Sequence, residues 1–379
     1  MRHFIRRHFA YFFIIFRLQS LIMKKYKLLF SALFFVFISV AQEPIKYHTI
    51  QGLTILGRPF PNQTTYRRFP DSLESLLRKP VWQFSTNSTG IAIYFESNAK
   101  QISAKWKTGD KASYPHVAAT LVKGVDLYAL DNHQWYYVGI GKPNNPIYQE
   151  ASIIKGLNGG VKQFLMYLPD YETTDSLLLG IDSAAMIQNV TSSVFANKKP
   201  IVFYGTSIVQ GASAMRSGMA YPAIIERGLQ RETINLGFSG NGLLDSMLAV
   251  IMSHIDAACY VIDCGPNLTP AMAAERTLPF LKLLRQNKPT TPILLVEQID
   301  YPFARFVSSM DEKIKLVNQH FNKAYTTLKN EGDKNIYYLP SKGLIGYDGE
   351  GTVDGVHLTD LGFYRMANAI KKKLQTILK

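Results

Sequence analysis

Four stretches of this chain carry residue types that together can attack and transfer an acyl group. The first is Gly205-Thr206-Ser207, which closes a short apolar run of β-branched and aromatic residues, Ile201 to Tyr204. A serine hydroxyl becomes a nucleophile when it has a base, a group that orients the base, and donors for the oxyanion it creates. The later stretches offer each of these: Asn235-Leu236-Gly237-Phe238-Ser239-Gly240-Asn241-Gly242, then Cys264-Gly265-Pro266-Asn267, then Asp354-Gly355-Val356-His357. His357 can take the Ser207 proton, and Asp354, three residues upstream in a glycine-containing turn, can hold the other ring nitrogen. The Gly240 amide can approach a developing oxyanion because no side chain stands in the way. The Asn267 side chain and the Ser207 amide complete the donor set.

Other chemistries fit these stretches less well. Gly205 to Gly211 lacks the phosphate-loop spacing and its Lys-Ser/Thr. Gly237-x-x-Gly240-x-Gly242 is not the dinucleotide fingerprint G-x-G-x-x-G. Position 209 is Val, so Ser207 does not sit in the G-x-S-x-G elbow of α/β-hydrolases. Alone, Asp354 and His357 read as a surface turn and Asn267 as a turn former. Their weight comes from occurring together, in order, at the ends of strands.

The elements that must position them follow from the period of the pattern. Beyond Asn197-Lys198-Lys199-Pro200, strand-like runs at 201–204, 233–238, 258–264, 292–299 and 335–339 alternate with helical stretches near 219–230, 243–254, 270–287, 311–329 and 359–377. That alternation predicts βαβ units and a parallel sheet covered on both faces, an α/β fold whose ligands bind at the carboxyl edge of the strands. Residues 42–197 read differently. Ile91, Ile93 and Phe95 alternate with Ala92, Tyr94 and Glu96, and Ile102, Ala104 and Trp106 follow after a polar break. Further strands are expected at 117–122, 125–130, 135–140, 161–168 and 176–181, separated by turn formers such as Lys123-Gly124 and Asn158-Gly159-Gly160, which predicts an antiparallel sandwich. Trp82, Trp106 and Trp135 all lie in this half. They are expected in the sandwich core, with a platform for a sugar ring as the competing reading.

At 379 residues the chain has room for about two domains of ~150 residues. Its formal charge of +14 owes much to residues 1–41, which hold seven Lys/Arg and no acid; without them 35 basic residues face 28 acidic ones, a net +7. No basic cluster with interleaved aromatics stands out, so no nucleic-acid partner is expected. Lys24-Lys25-Tyr26-Lys27, the apolar run Leu28 to Val40, and Ser39-Val40-Ala41 have the layout of a secretory signal peptide cut before Gln42. Residues 1–22 then read as a start over-extension, and the mature protein is expected to be exported, to periplasm, cell surface or medium, with no stable membrane insertion. An uncleaved anchor is the competing reading. Cys259 and Cys264 share one strand-like run that separates them by ~16 Å, beyond the ~7 Å reach of a disulfide, so two free thiols are expected. With only scattered histidines, no metal spacing appears and no metal or cofactor is expected.

The four stretches resemble the blocks of the SGNH (GDSL-type) hydrolases. The resemblance covers residues 200–379 and matches Ser207 to the nucleophile, Gly240 and Asn267 to oxyanion donors, and Asp354 and His357 to the rest of the triad. Two blocks depart from the family pattern. The first reads Gly-Thr-Ser-Ile rather than Gly-Asp-Ser-Leu, and the third has Leu268 where the family carries an acid. Gly124-Val125-Asp126-Leu127-Tyr128 resembles the GxDLY motif of the β domain that precedes some bacterial SGNH hydrolases, many from Bacteroidetes. This implies a jelly-roll-like sandwich over 42–197 followed by a three-layer α/β/α hydrolase domain over 198–379. Asp126 and Tyr128 share one strand face and are expected at the domain interface or at the substrate rim. The resulting expectation is a secreted serine esterase that removes short acyl groups, acetyl first, from carbohydrates. The alternatives are a lipase- or lysophospholipase-type acylhydrolase and a non-catalytic carbohydrate-binding protein.

Overall fold

The computed structural model describes residues 43–379 except 61, 62, 64 and 111–113, together with 17, 19 and 21–24. The expected leader over 1–41 lies outside the described residues apart from those six. Among the described residues no helix is long and apolar enough to cross a membrane. Ile45–Lys379 form one compact unit.

Its first half is a sandwich of ten strands: β1 Ile45–Thr49, β2 Thr54–Leu56, β3 Ala92–Ser97, β4 Gln101–Thr108, β5 Val125–Asp131, β6 Gln134–Gly141, β7 Tyr148–Lys155, β8 Lys162–Tyr167, β9 Thr174–Asp182 and β10 Ile187–Gln188. One antiparallel sheet runs β1-β9-β4-β7; the other runs β10-β3-β8-β5-β6, with β2 also on β3. Ile93, Phe95, Trp106, Leu127, Phe164 and Leu179 fill the space between them. The alternation read at 91–96 is therefore real, yet its second face is not solvated. Ala92, Tyr94, Tyr128, Leu165 and Tyr167 pack outward with Ala223 of the second half. Residues 117–122, expected as a strand, form a turn and the helical turn α2 Ala119–Val122, preceded in the chain by helix α1 Lys79–Ser85. Val117, Leu121 and Val122 point into one core at near-helical spacing, which outweighs their β propensity.

The second half has five parallel strands, β11 Ile201–Gly205, β12 Thr233–Gly237, β13 Cys259–Asp263, β14 Ile293–Val296 and β15 Ile336–Leu339, in the order β12-β11-β13-β14-β15. Its helices are α3 Ser207–Gln210, α4 Tyr221–Leu229, α5 Ser246–Ser253, α6 Pro270–Asn287, α7 Ser308–Asn330 and α8 Asp360–Ile377. Val202 and Tyr204 face α5, α6 and α7, whereas Ile201 and Phe203 face α4 and α8. The result is the expected α/β/α layering. Cys259 and Cys264 are buried free thiols.

The two halves share polar contacts as well as cores. Asp126, 1% exposed, pairs with Arg216 at 2.8 Å and accepts from the Gly218 amide at 3.1 and 3.2 Å. Arg216 also meets the Tyr128 hydroxyl. Both GxDLY side chains thus serve the interface, and their burial leaves no surface for a substrate rim. Trp106 sits in the sandwich core and Trp135 stacks on Phe195. Trp82 lies on α1 and packs against the α/β core instead. Trp106 and Trp135 are buried and offer no open face to a sugar ring, and Trp82 is half-buried against the other core.

Glu226 on α4 accepts from the Tyr167 hydroxyl at 2.6 Å and from the Thr233 amide at 2.9 Å. Burial pushes its carboxyl up to about 7, against the lowering effect of those two bonds. A carboxyl whose folded pKa lies above its unfolded value binds more protons when folded, so stability falls as pH rises from about 4.5 to about 7. Glu226→Gln keeps an acceptor for Thr233 and removes this penalty. In urea unfolding the variant is expected to match the parent near pH 4.5 and to exceed it at pH 8, by about 1–3 kcal/mol. A difference that does not change with pH contradicts the assignment.

Candidate active site

The site lies at the carboxyl edge of the parallel sheet, where β11, β12, β13 and the loop after β15 come together. β11 ends at Gly205 and the chain turns at once into α3. Thr206 caps that turn, its hydroxyl accepting from the Ile208 amide at 3.2 Å. Ser207 is the first residue of the turn and is 5% exposed. Its amide therefore belongs to the N-terminal amides that have no intrahelical acceptor.

The Ser207 hydroxyl lies 3.0 Å from Nε2 of His357, and Nδ1 of His357 lies 2.7 Å from Oδ2 of Asp354. The other oxygen of Asp354 accepts from the backbone amides of His357 at 2.8 Å and Val356 at 3.0 Å. The short Asp-x-x-His spacing is thus closed by the carboxylate itself. Burial alone would raise the Asp354 carboxyl, but the bonds from the His357 ring and from these amides prevail and hold it at about 2. Across the neutral range Asp354 is an anion that fixes the imidazole with Nε2 toward the serine.

The donor loops are fastened to α3. Gln210 accepts from the Ser239 amide at 2.9 Å, and the Asn235 side chain donates to the Val209 carbonyl at 2.8 Å. From the first half, the buried Arg68 guanidinium binds the carbonyls of Asn235 and Gly237. A Cβ on Gly242 would come within 2.6 Å of the Gly205 backbone, so this loop can lie against the serine turn only as glycine. Gly240 has a φ of +67°, and its amide has no acceptor among the described residues. The Asn267 side-chain oxygen accepts from the Gly242 amide at 3.2 Å. That bond leaves its Nδ2 as the available donor. Leu268, in place of the family's acid, is fully buried in the α/β core and does not disturb this bond. The structure thus gathers Ser207, Gly240, Asn267, Asp354 and His357 at one edge, with Asp126 and Tyr128 elsewhere.

One residue escaped the sequence reading. The His116 ring stacks on His357 with centroids 4.7 Å apart and planes inclined by 25°. No local signal marks it; it is a single histidine in a loop of the β half. His116, Asp354 and His357 bring possible ligand atoms within 4.8 Å of one another. Both nitrogens of His357 are already engaged, and near-parallel rings aim their lone pairs side by side. This arrangement fits a stacked pair better than a metal centre, which needs convergent donors.

The comparisons with known proteins bear on the family and the fold. The profile of the GDSL-like lipase/acylhydrolase family matches residues 198–375, and that of the GxDLY N-terminus of SGNH-hydrolase-type esterases matches 45–187. A crystal structure from Bacteroides ovatus ATCC 8483, named as a GDSL-like lipase, is 35% identical over 88% of this chain and 98% of its own, with a TM-score of 0.84. A salicylyl-acyltransferase from a tetracycline biosynthetic pathway shares the fold at 18% identity, over 89% of this chain and 98% of its own, with a TM-score of 0.70. An acetyl xylan esterase from the rumen bacterium Butyrivibrio proteoclasticus does so at 12% identity, over 88% and 98%, with a TM-score of 0.55. No curated protein matches the chain in sequence. The blocks, the fold and the 35% identity lead to one conclusion: this chain belongs to the GDSL-like (SGNH) lipase/acylhydrolase family, with a GxDLY-type β domain at its N-terminal side.

Proposed function

We propose that this protein is an exported serine esterase that removes short acyl groups, acetyl first, from carbohydrates. The observation that carries the esterase reading is the unbroken relay from Ser207 Oγ through both nitrogens of His357 to Asp354. His357 takes the hydroxyl proton as Oγ attacks the ester carbonyl. The amides of Ser207 and Gly240 and Nδ2 of Asn267 receive the oxyanion. The alkoxide leaves with the proton from His357, and water activated by the same ring releases the acid.

Two features support a sugar as the alcohol. An open groove of about 450 Å³ lies on the same sheet edge, between the loops that follow β14 and β15. Phe306 and Tyr347 on it are 82% and 78% exposed, beside Asp300, Arg305 and Ser341. Exposed rings among carboxylate and hydroxyl groups suit a sugar ring, with its apolar face and hydroxyl edge; a long acyl chain asks for a continuous apolar channel. The leader-like N-terminus supports export to where such polymers are met.

Ser207→Ala is expected to fold normally and to lose several orders of magnitude in ester turnover. Asn267→Ala should cost about 10²–10³ in kcat. Full turnover in Ser207→Ala would mean that no acyl-enzyme forms on this residue and would remove the serine mechanism, whereas no ester turnover in the parent would favour the binding-protein alternative.

For the substrate, a C2–C8 series of p-nitrophenyl esters is compared with acetylated xylan, xyloglucan and pectin, measuring released acetate. Activity falling from C2 to C8, with acetate released from a glycan, is expected. Phe306→Ala and Tyr347→Ala should each raise KM on the glycan by about 2- to 12-fold while leaving p-nitrophenyl acetate unaffected. A maximum at C8 with no acetate from any glycan selects the long-chain acylhydrolase.

A further inference from the structure

We infer that His116 of the β half is a positioning residue for His357, so that the active site is completed by both halves of the chain. The inference rests on the proposal that His357 is the general base. In the α/β half, Ser207 precedes Ile208 and His357 precedes Leu358, and both of these neighbours are fully buried in one core. His116 precedes Val117, which enters the same core together with Leu121 and Val122. Three residues around one reaction centre are thus each followed in the chain by a residue buried in the same core. The turn is pinned further by the Val117 amide donating to the Tyr114 carbonyl at 3.1 Å, and by Tyr114 packing edge-on against Tyr171 at 5.5 Å.

The contact has a definite mechanical consequence. Bonds at Nδ1 and Nε2 fix the His357 ring along the line joining Asp354 to Ser207, but they permit rocking about that line. A ring lying on its face at 4.7 Å blocks the rocking and keeps the Nε2 lone pair directed at the hydroxyl. Once His357 has accepted the proton, the same face presents π density to the imidazolium. Misplacing a general base by a fraction of its hydrogen-bond length affects the chemical step more than binding.

His116→Ala, His116→Phe and the parent are compared on p-nitrophenyl acetate, with thermal unfolding recorded for each. His116→Ala is expected to lose about 10-fold or more in kcat with KM within about 2-fold, and His116→Phe, which keeps a flat ring on His357, to recover to within about 3-fold of the parent. Parent-like kcat in His116→Ala overturns the inference. So does a His116→Phe variant as slow as His116→Ala, or a rise in KM at constant kcat, which marks a substrate contact instead. Histidine-labelled NMR reads the stack independently of turnover: the His357 ring-proton shifts should move in His116→Ala and stay near the parent values in His116→Phe. Absence of any ester turnover in the parent counts against the esterase reading, while unchanged His357 shifts in His116→Ala count against the stack.

Discussion

The sandwich sheet made of β10, β3, β8, β5 and β6 is apolar on both faces. Its inner face packs on the other sheet through Ile93, Phe95 and Phe164, while its outer face carries Tyr94, Tyr128 and Tyr167. A sheet of this kind must be covered twice, because each bulky side chain left in water forfeits about 1.5–3 kcal/mol of burial. Phe195, from the segment before β11, and Ala223 of helix α4 supply the second cover. The requirement turns two recognisable domains into a single compact unit.

Charge placement reinforces that union. Asp126 could not be buried as an anion without a partner; Arg216 and the Gly218 amide provide one from the opposite half. Arg68 makes the reverse journey, crossing from the first half to the carbonyls at the end of β12. These carbonyls belong to the strand that leads into the proposed oxyanion loop. The β half therefore holds the floor of the site through Arg68, and a wall of it through the turn at 114–117.

Within the α/β half, the site follows from where parallel strands end. Each βα junction releases its loop at the same edge, so residues far apart in sequence arrive together without special contrivance. Side-chain bonds from Gln210 and Asn235 and the close approach of Gly242 then set the loops to ångström scale. Asp354 differs from the other parts in using local geometry, binding both the ring and the backbone of the turn that carries His357.

The sequence by itself determined those features that depend on neighbours along the chain. The period of apolar residues specified the parallel strands to within about three residues at each end, and a helix near 270–287 that spans Pro270–Asn287. The turn chemistry around Ser207, Gly240, Asn267, Asp354 and His357 marked them as the candidate site. Local pattern also marked Asp126 and Tyr128 as sharing a face, yet it could not say whether that face met a substrate or a partner domain. The tertiary structure decided what depends on contacts across the chain. It moved 117–122 from a strand to a docked helical turn and placed Trp82 on the other core. It left Phe306 and Tyr347 exposed on the groove between the loops after β14 and β15 and laid His116 on His357. Apart from the near-helical spacing of Val117, Leu121 and Val122, these leave no trace in local periodicity, because burial of an outer sheet face and the stacking of two rings are properties of surfaces that exist only once both halves have folded against each other.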